Sequence, residues 1–338
     1  MKIYIGIDLH KVNQTWVGIP QQGKEKLFSK EFPVTPDGVQ EAVFFAKKYG
    51  DILIAVLEPC CGWKWVKKQL EESGLEVHIT NPRKVRAIAD SLQKTDENDA
   101  HILALLLRTG ILCESRDLPE DIKKLRSLVR ERSFFVRLRT TVKCRLEGIV
   151  TREGRHLVEG SLSSKKGTNL ILASDHSEWK DHVVSIKEID AHIQDLEKKM
   201  TQQAKDIPIC KLLQTIPGLG VISALTIYTE VGDFTAFKRP EQLAAFSGLV
   251  PTERSSGGVQ RLGHITHAGS KHLRYILVEV AMHIHNKESS RVLYDFYEKI
   301  KGRSGAMRAR TALARKILTI CWYMITRSEP YKQRILPC

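Results

Sequence analysis

The chain has 338 residues, and its 53 Lys and Arg against 39 Asp and Glu give a formal net charge of +14. With 42% hydrophobic and 27% charged residues it has the composition of a globular protein, which excludes a wholly disordered chain. No apolar run approaches the roughly 18 residues of a membrane span, and we expect no secretory signal at the N-terminus. Seven cysteines without a C-x-x-C pair favour a reducing cytoplasm and no structural zinc.

The positive charge is concentrated in two segments. Residues 121–155 carry a net charge of +7 and residues 251–316 carry +8, whereas all other residues sum to −1. A single charged run is usually a solvated helix face. Two separate blocks that hold the whole excess favour a surface for a polyanion, with nucleic acid ahead of an anionic membrane.

The first 80 residues predict a mixed sheet with helices on its faces. Helical spacing predicts helices over residues 36–49 and 63–73. A three-strand meander followed by strands that alternate with helices is typical of an α/β domain, which we assign to residues 1–112. The predicted strands cover residues 2–9, 15–20, 25–34, 52–57 and 76–80.

Beyond Pro82 the sequence is predicted to be helical. One apolar stripe runs from Leu125 to Ile149, and a heptad seam runs from Ile186 to Met200, with a polar stretch between them. We interpret residues 113–206 as two long coiled-coil arms joined by a flexible tip. The arms pair either antiparallel or between chains, and a plain helical bundle is the alternative. Residues 207–338 are expected to form a compact helical domain.

Four carboxylates are predicted to meet at one edge of the sheet. Asp8 closes the first strand and Glu58 closes the fourth, and a right-handed crossover tends to place these strands side by side and parallel. Asp96 and Asp99 are three residues apart and would share one face of a helix. Taken singly, each is an ordinary turn, capping or solvated residue. Together they suit Mg²⁺, and two such ions can clamp the oxygens of a phosphodiester.

The strings that contain these carboxylates resemble a known signature. They are YIGID at residues 4–8, LE at 57–58 and KTDENDA at 94–100, and they look like the DEDD signature of the insertion-sequence one-ten family of transposases. The resemblance implies a ribonuclease H-like nuclease domain of the Holliday-junction resolvase type. It also implies that Mg²⁺ or Mn²⁺ is held by Asp8, Glu58, Asp96 and Asp99.

A glycine-rich turn lies between apolar helices in the C-terminal half. Gly218 and Gly220, in the string IPGLG, would let backbone N–H groups approach a phosphate, as in a helix-hairpin-helix element. A tight helix–helix turn explains the same string equally well.

A serine pair precedes two further glycines. Ser255 and Ser256 are expected on a turn beside Arg254, Arg261 and His264, where a hydroxyl is a plausible activated nucleophile, although such a string alone is more often a linker. The strings IPGLG, LAAFSGLVP and SG followed by ITHAGSKHLR resemble the C-terminal transposase domain of the same family, so the two halves together cover nearly the whole chain.

The resemblance implies that Ser256 joins to DNA, with Ser255 as the alternative one residue away. The basic group that assists the serine stays open among His264, His267 and Arg274. The resemblance also implies double-stranded DNA as donor and target, a structured non-coding bridge RNA, and a homo-oligomer, dimer or tetramer, in which acidic and serine sites of different protomers meet. We expect a prokaryotic, nucleoid-associated protein of the cytoplasm. The residues expected to contact nucleic acid are Arg137, Arg139, Lys143, Gly218, Gly220, Arg254, Arg261, Lys271 and Arg274.

Three other interpretations fit parts of the sequence. A metal-dependent resolvase would keep the carboxylates and use water in place of the serine. A sugar-kinase or actin-like ATPase also opens on a Gly-x-Asp strand, but it needs a second glycine-rich phosphate loop on a later strand. A non-catalytic nucleic-acid-binding protein would tolerate loss of the carboxylates.

Overall fold

The computed structural model describes residues 1–23, 25–81, 85, 95–112, 118–154, 165–253, 261–284 and 290–332. The chain forms two compact units, Met1–Asp117 and Leu118–Cys338. Among the helices of the described residues, none is both long and apolar enough to span a membrane.

The first unit contains a five-stranded mixed sheet. Its strands are β1 (Lys2–Leu9), β2 (Asn13–Pro20), β3 (Phe28–Pro33), β4 (Ile52–Leu57) and β5 (Glu76–Ile79). Their order is β3-β2-β1-β4-β5, with β1, β2 and β3 antiparallel and β1, β4 and β5 parallel. The predicted meander and the predicted parallel pairing of the first and fourth strands are therefore confirmed, and the sheet is compatible with a ribonuclease H-like fold.

Helices cover both faces of this sheet. Helices α1 (Pro36–Lys47) and α2 (Trp63–Glu72) enclose one core with the odd-numbered apolar residues of β1. Helix α3 (Asp96–Arg108) packs on the other face, where Ala100 and Ala104 meet β1 and β2. After β5, the described residues add no further strand to this sheet, so the ATPase interpretation lacks its later strand there.

The second unit begins with a helical hairpin. Helix α4 (Glu120–Arg152) is followed by a short helix α5 (Lys165–Ala173) and by helix α6 (Ser177–Ala204). Arg132 pairs with Glu197 and Arg139 with Asp190, so α4 and α6 run antiparallel within one chain. The predicted flexible tip contains α5, and residues 155–164 of that tip lie outside the described part of the chain.

The remainder of the second unit encloses one large apolar core. A small antiparallel pair of strands lies among its helices, which is an addition to the all-helical domain that the sequence predicted. The elements in chain order are α7 (Pro208–Leu213), α8 (Val221–Val231), α9 (Pro240–Ser247), β6 (Pro251–Glu253), β7 (Leu262–Ile265), α10 (Lys271–Ile284), α11 (Arg291–Ser304) and α12 (Ala306–Arg327).

Candidate functional site

Two of the predicted carboxylates lie at the same edge of the sheet. The parallel register of β1 and β4 pairs Ile7 with Leu57, so the next residues, Asp8 and Glu58, lie side by side. Asp8 is still within β1, whereas Glu58 directly follows β4. Side chains alternate along a strand, and Gly6 of β1 lies on the face that α3 covers. Asp8, two residues further on, therefore points to the α3 side of the sheet.

The other two carboxylates lie in the first turn of α3. Thr95 caps this helix, because its side-chain oxygen accepts a hydrogen bond of 3.2 Å from the backbone N–H of Asn98. Asp96 is thus the first helical residue, which rules out its alternative role as the cap. Because Thr95 caps the helix, neither Asp96 nor Asp99 is needed as the cap. Their spacing places both side chains on one face of α3.

One oxygen of Asp8 marks the centre of this cluster. Its Oδ2 atom is buried and has no hydrogen-bond partner among the described residues, while His10 Nδ1 lies 3.6 Å away. Single ligand atoms of Asp8, His10 and Asp96 all lie within 4.8 Å of one another. A buried carboxylate oxygen without a donor is costly, and a bound cation removes that cost.

The pKa of Asp8 is affected by the other three carboxylates. Burial is the main cause that raises the pKa of Asp8 to about 6, against a lowering by His10, and the negative charges of Asp96, Asp99 and Glu58 raise it further. The structure therefore brings all four predicted carboxylates within electrostatic range. Their hard oxygens fit Mg²⁺ or Mn²⁺, and the nitrogen of His10 adds a donor that transition metals accept.

His10 is a member of this cluster that the sequence analysis missed. It follows Asp8 by two residues, and alternation along an extended chain places such residues on the same side. The Asp-x-His spacing could therefore have predicted that His10 lies beside Asp8. An open groove lined by Thr15, Ser29, Lys30, Glu31, Thr95, Asp96 and Glu97 adjoins the cluster, and Lys26 pairs with Glu97 at 2.6 Å.

The two predicted serines belong to the segment that joins β6 to β7. Ser255, Ser256 and the neighbouring Arg254 lie outside the described residues. The strands on either side are described, and they pair Pro251 with Ile265 and Glu253 with Leu262. We call these two strands with their connection the serine hairpin.

The side chain of Arg274 holds the base of the serine hairpin by hydrogen bonds to backbone carbonyl oxygens. Its Nη1 donates to the carbonyl oxygens of Ser247 at 3.0 Å, Ala268 at 2.6 Å and Gly269 at 3.2 Å. Gly248, with a φ of +71°, lies directly against the backbone of Ala268, leaving no room for a side chain. Arg274 therefore binds the turn after β7 to the end of α9, whatever else it contacts.

A buried glutamate lies beneath this base, and the sequence analysis missed it. Glu230 is 1% exposed, and it accepts hydrogen bonds from Arg130 Nε at 2.8 Å and Nη2 at 3.0 Å. Burial alone would raise the pKa of Glu230, but hydrogen bonds from Arg130 and Ser270 and the charge of Arg126 hold it below its ordinary value. Glu230 is the one charged residue in the sequence of α8, and this could have drawn attention to it.

Ser270 connects Glu230 to the start of α10. Its Oγ accepts hydrogen bonds from the backbone N–H groups of His272 at 3.1 Å and Leu273 at 3.3 Å. Helix α10 directly follows the turn after β7. The contacts therefore run from Arg130 on the long helix α4, through Glu230 and Ser270, to the base of the serine hairpin.

The other residues predicted to contact nucleic acid have different surroundings. Gly218, with a φ of +82°, forms the turn between α7 and α8, and a Cβ on Gly220 would meet open space. Arg139 pairs with Asp190 at 2.6 Å inside the helical hairpin. The remaining residues are at least partly exposed, and they are Arg137, Lys143, Arg261 and Lys271. Their contact with nucleic acid stays a prediction.

Comparison with known families identifies similarity over both units. Residues 5–154 match a model of DEDD transposases of the IS110 type. Residues 210–298 match the model described as the transposase IS116/IS110/IS902 family.

Curated relatives match over most of the chain. The transposase for insertion sequence element IS1111A of Coxiella burnetii is 29% identical, over 82% of this chain and 79% of its own length. The transposase for insertion sequence element IS1328 of Yersinia enterocolitica is 25% identical, over 97% and 98%. A pilin gene-inverting protein of Moraxella bovis is 25% identical over 99% of both chains.

Proposed function

The chain belongs to the IS110/IS116/IS902 family of insertion-sequence transposases, and we propose that it cuts DNA at a centre for divalent metal ions and joins the strands through a serine. Its relatives are named transposases, which are DNA-cutting and strand-transfer enzymes. Transposase domains of the DEDD class generally use divalent metal ions, which agrees with the chemistry of the acidic cluster.

The Oδ2 of Asp8, which has no hydrogen-bond partner in the described part of the chain, carries the metal part of this proposal. Asp8, Glu58, Asp96 and Asp99 would hold Mg²⁺ or Mn²⁺, with His10 at the margin of the site. A divalent ion there would polarise the phosphate and stabilise charge on the attacking and leaving oxygens. The carboxylates supply the negative charge that attracts the ion, and the cap at Thr95 fixes the helix that presents two of them.

The serine part of the proposal supplies the covalent step. The Oγ of Ser256, or of Ser255, attacks the phosphorus while the bond from phosphorus to the leaving DNA oxygen breaks. The serine proton passes to a basic group, for which His264 and His267 are the candidates, and the leaving oxygen takes up a proton. Arg274, the third residue considered for assisting the serine, stays protonated and would act by its positive charge. The phosphoserine ester conserves the bond energy for rejoining to a new strand, which hydrolysis does not.

We also propose the partners that the family resemblance implies. They are double-stranded DNA, a structured bridge RNA that guides the choice of site, and further copies of the same chain. The net charge of +14 supports a polyanion as partner. Sequencing of any RNA that copurifies with the protein tests the bridge RNA directly, and a preparation that exchanges strands without RNA would contradict it.

A covalent-adduct assay tests the metal and the serine together. The full chain is incubated with nicked donor DNA and Mg²⁺ and then denatured, and protein–DNA species are mapped by mass spectrometry. We expect an adduct at Ser256, its loss in Ser256→Ala, and no reaction in EDTA. An adduct at Ser255 would move the assignment by one residue. Cleavage without any adduct, retained in the Ser255→Ala, Ser256→Ala double variant, would instead support the resolvase interpretation.

A further inference from the structure

The two positive blocks differ in how far the chain neutralises them. On α4, three arginines are ion-paired within the second unit: Arg130 with Glu230, Arg132 with Glu197 and Arg139 with Asp190. Much of the charge in the first block is therefore balanced internally, and it is a weaker attractant for a polyanion than its composition indicates.

Helix α12 has the opposite character. Over its 22 residues, Ala306–Arg327, it contains no Asp or Glu, whereas it has five Lys or Arg. Among the described residues, the ion pairs nearest to it in sequence are Lys301–Glu298 and Lys332–Glu329, and neither involves a residue of α12. Within the described part of the chain no acidic side chain forms an ion pair with α12, although Lys316 lies over the ring of Phe296 and Arg327 over the ring of Tyr323.

Two exposed cations of α12, Arg308 and Arg315, lie along one stripe. Arg308, Ala312, Arg315 and Thr319 follow the i, i+4, i+7, i+11 spacing of one helix face, and both arginines are exposed. Arg315 follows Arg308 by seven positions, which is about 10.5 Å along the axis. The residues between them on this face, Thr311 and Ala312, are small, so an extended backbone could approach both guanidinium groups.

The opposite face of α12 is buried in the core of the second unit. Leu313, Ile317 and Cys321 are fully buried, and the helix packs against α9, α10 and α11. The arginines are therefore presented on a fixed helix that belongs to the main core of the second unit. Binding of a ligand to these arginines therefore costs little conformational entropy for ordering the backbone of α12.

We propose that this face, the α12 arginine stripe (Arg308, Ala312, Arg315 and Thr319), docks the sugar–phosphate backbone of double-stranded DNA. Arginine forms bidentate hydrogen bonds with phosphate, and such contacts position a duplex without reading its sequence. The stripe has no aromatic side chain on which the unpaired bases of a single strand could stack, so it suits a duplex. The inference rests on the proposed function only for the identity of the polyanion as DNA.

Salt dependence of duplex binding tests the stripe. We expect Arg308→Glu with Arg315→Glu, in the full chain, to lower the slope of log affinity against log salt by about 1.8, since each lost duplex phosphate contact removes about 0.9. Arg308→Gln with Arg315→Gln should give a similar loss. The matched control is Lys187→Glu with Lys198→Glu, which makes the same charge change at two exposed lysines of α6. Thermal unfolding verifies that each variant is folded.

The outcomes separate this inference from the proposed function. Binding is measured in EDTA, so no strand chemistry contributes. If the wild type does not bind duplex DNA, the proposed function fails. If the wild type binds and the arginine variants match the lysine control in slope, the stripe is a solvated face and this inference is wrong. An effect confined to a duplex RNA of equal length would also overturn it.

Discussion

Gly6 of β1 lies so close to Ala100 of α3 that a Cβ on Gly6 would overlap the carbonyl oxygen of Ala100. The backbone of Ala104, one turn further along, is also too near to admit a side chain. Helix α3 therefore rests directly on the strand that carries Asp8, and the same helix carries Asp96 and Asp99. The distance from Asp8 to Asp96 and Asp99 therefore depends on residue 6 being glycine.

Replacing Gly6 with Ala should push α3 away from β1. We expect a loss of about 1–3 kcal/mol in the free energy of unfolding, as for other overpacked contacts, and a higher Mg²⁺ concentration for half-maximal cleavage. Urea unfolding and a metal titration measure the two effects. Gly148→Ala, where a Cβ meets open space within α4, should instead be neutral or stabilising. If folded Gly6→Ala needs no more Mg²⁺ than the wild type, the close packing of α3 on β1 does not control metal use, and this prediction is wrong.

Neighbouring acidic residues of α3 should differ sharply in function. Asp96→Asn is expected to abolish strand cleavage, because it removes a carboxylate of the proposed metal site beside the buried oxygen of Asp8. Glu97→Gln should retain activity, since Glu97 pairs with Lys26. Both variants should bind DNA as the wild type does, because a carboxylate does not hold a polyanion. Cleavage and binding assays in parallel measure this, and equal inactivation of the two variants would contradict the assignment.

The cap at Thr95 should contribute to both stability and metal use. Thr95→Ala removes the acceptor for the N–H of Asn98 and should cost about 1 kcal/mol. The first turn of α3 would then be less well fixed, so we expect weaker activation by Mg²⁺. Thr95→Ser keeps a hydroxyl acceptor and should restore both properties, as measured by chemical denaturation and metal titration. Failure of Ser to rescue would exclude capping as the role of this residue.

Glu230 should make the protein sensitive to acid. Its pKa is lower in the folded chain than in the unfolded chain, so its stabilising effect is present above its ordinary pKa of 4.5 and is lost as pH falls further. Glu230→Gln should therefore lose less stability than the wild type between neutral pH and strongly acidic pH. Denaturation curves at several pH values measure the difference. Glu197→Gln, in the more exposed pair with Arg132, is the control and should change the pH profile less.

Glu230 should also affect the serine chemistry. Because Glu230 reaches the start of α10 through Ser270, Glu230→Gln should reduce adduct formation at Ser256. Glu197→Gln, whose pair joins only α4 and α6, should leave it unchanged. Equal adduct yields from the two variants, at a temperature where both are folded, would show that Glu230 stabilises the unit without positioning the serine hairpin.

Much of the first unit was predictable because its determinants are local. Alternation of apolar residues, turn residues and the handedness of crossovers predicted five strands and the parallel pairing of β1 with β4. From that pairing, Asp8 and Glu58 were expected at one edge, and the spacing of Asp96 and Asp99 placed them on one helix face. The boundaries of β2 and β3 were less accurate, because strand ends depend on pairing with neighbours.

Sequence alone also determined the excess of positive charge, but only the tertiary structure decided where that charge is exposed. Ion pairs such as Arg139–Asp190 join residues far apart in the chain, so composition by segment does not record them. The same holds for the entry of His10 into the acidic cluster and for the contact of Gly6 with Ala100. Hydrophobic periodicity encodes which face of an element is buried, whereas the partner on that face is selected by packing across the whole core.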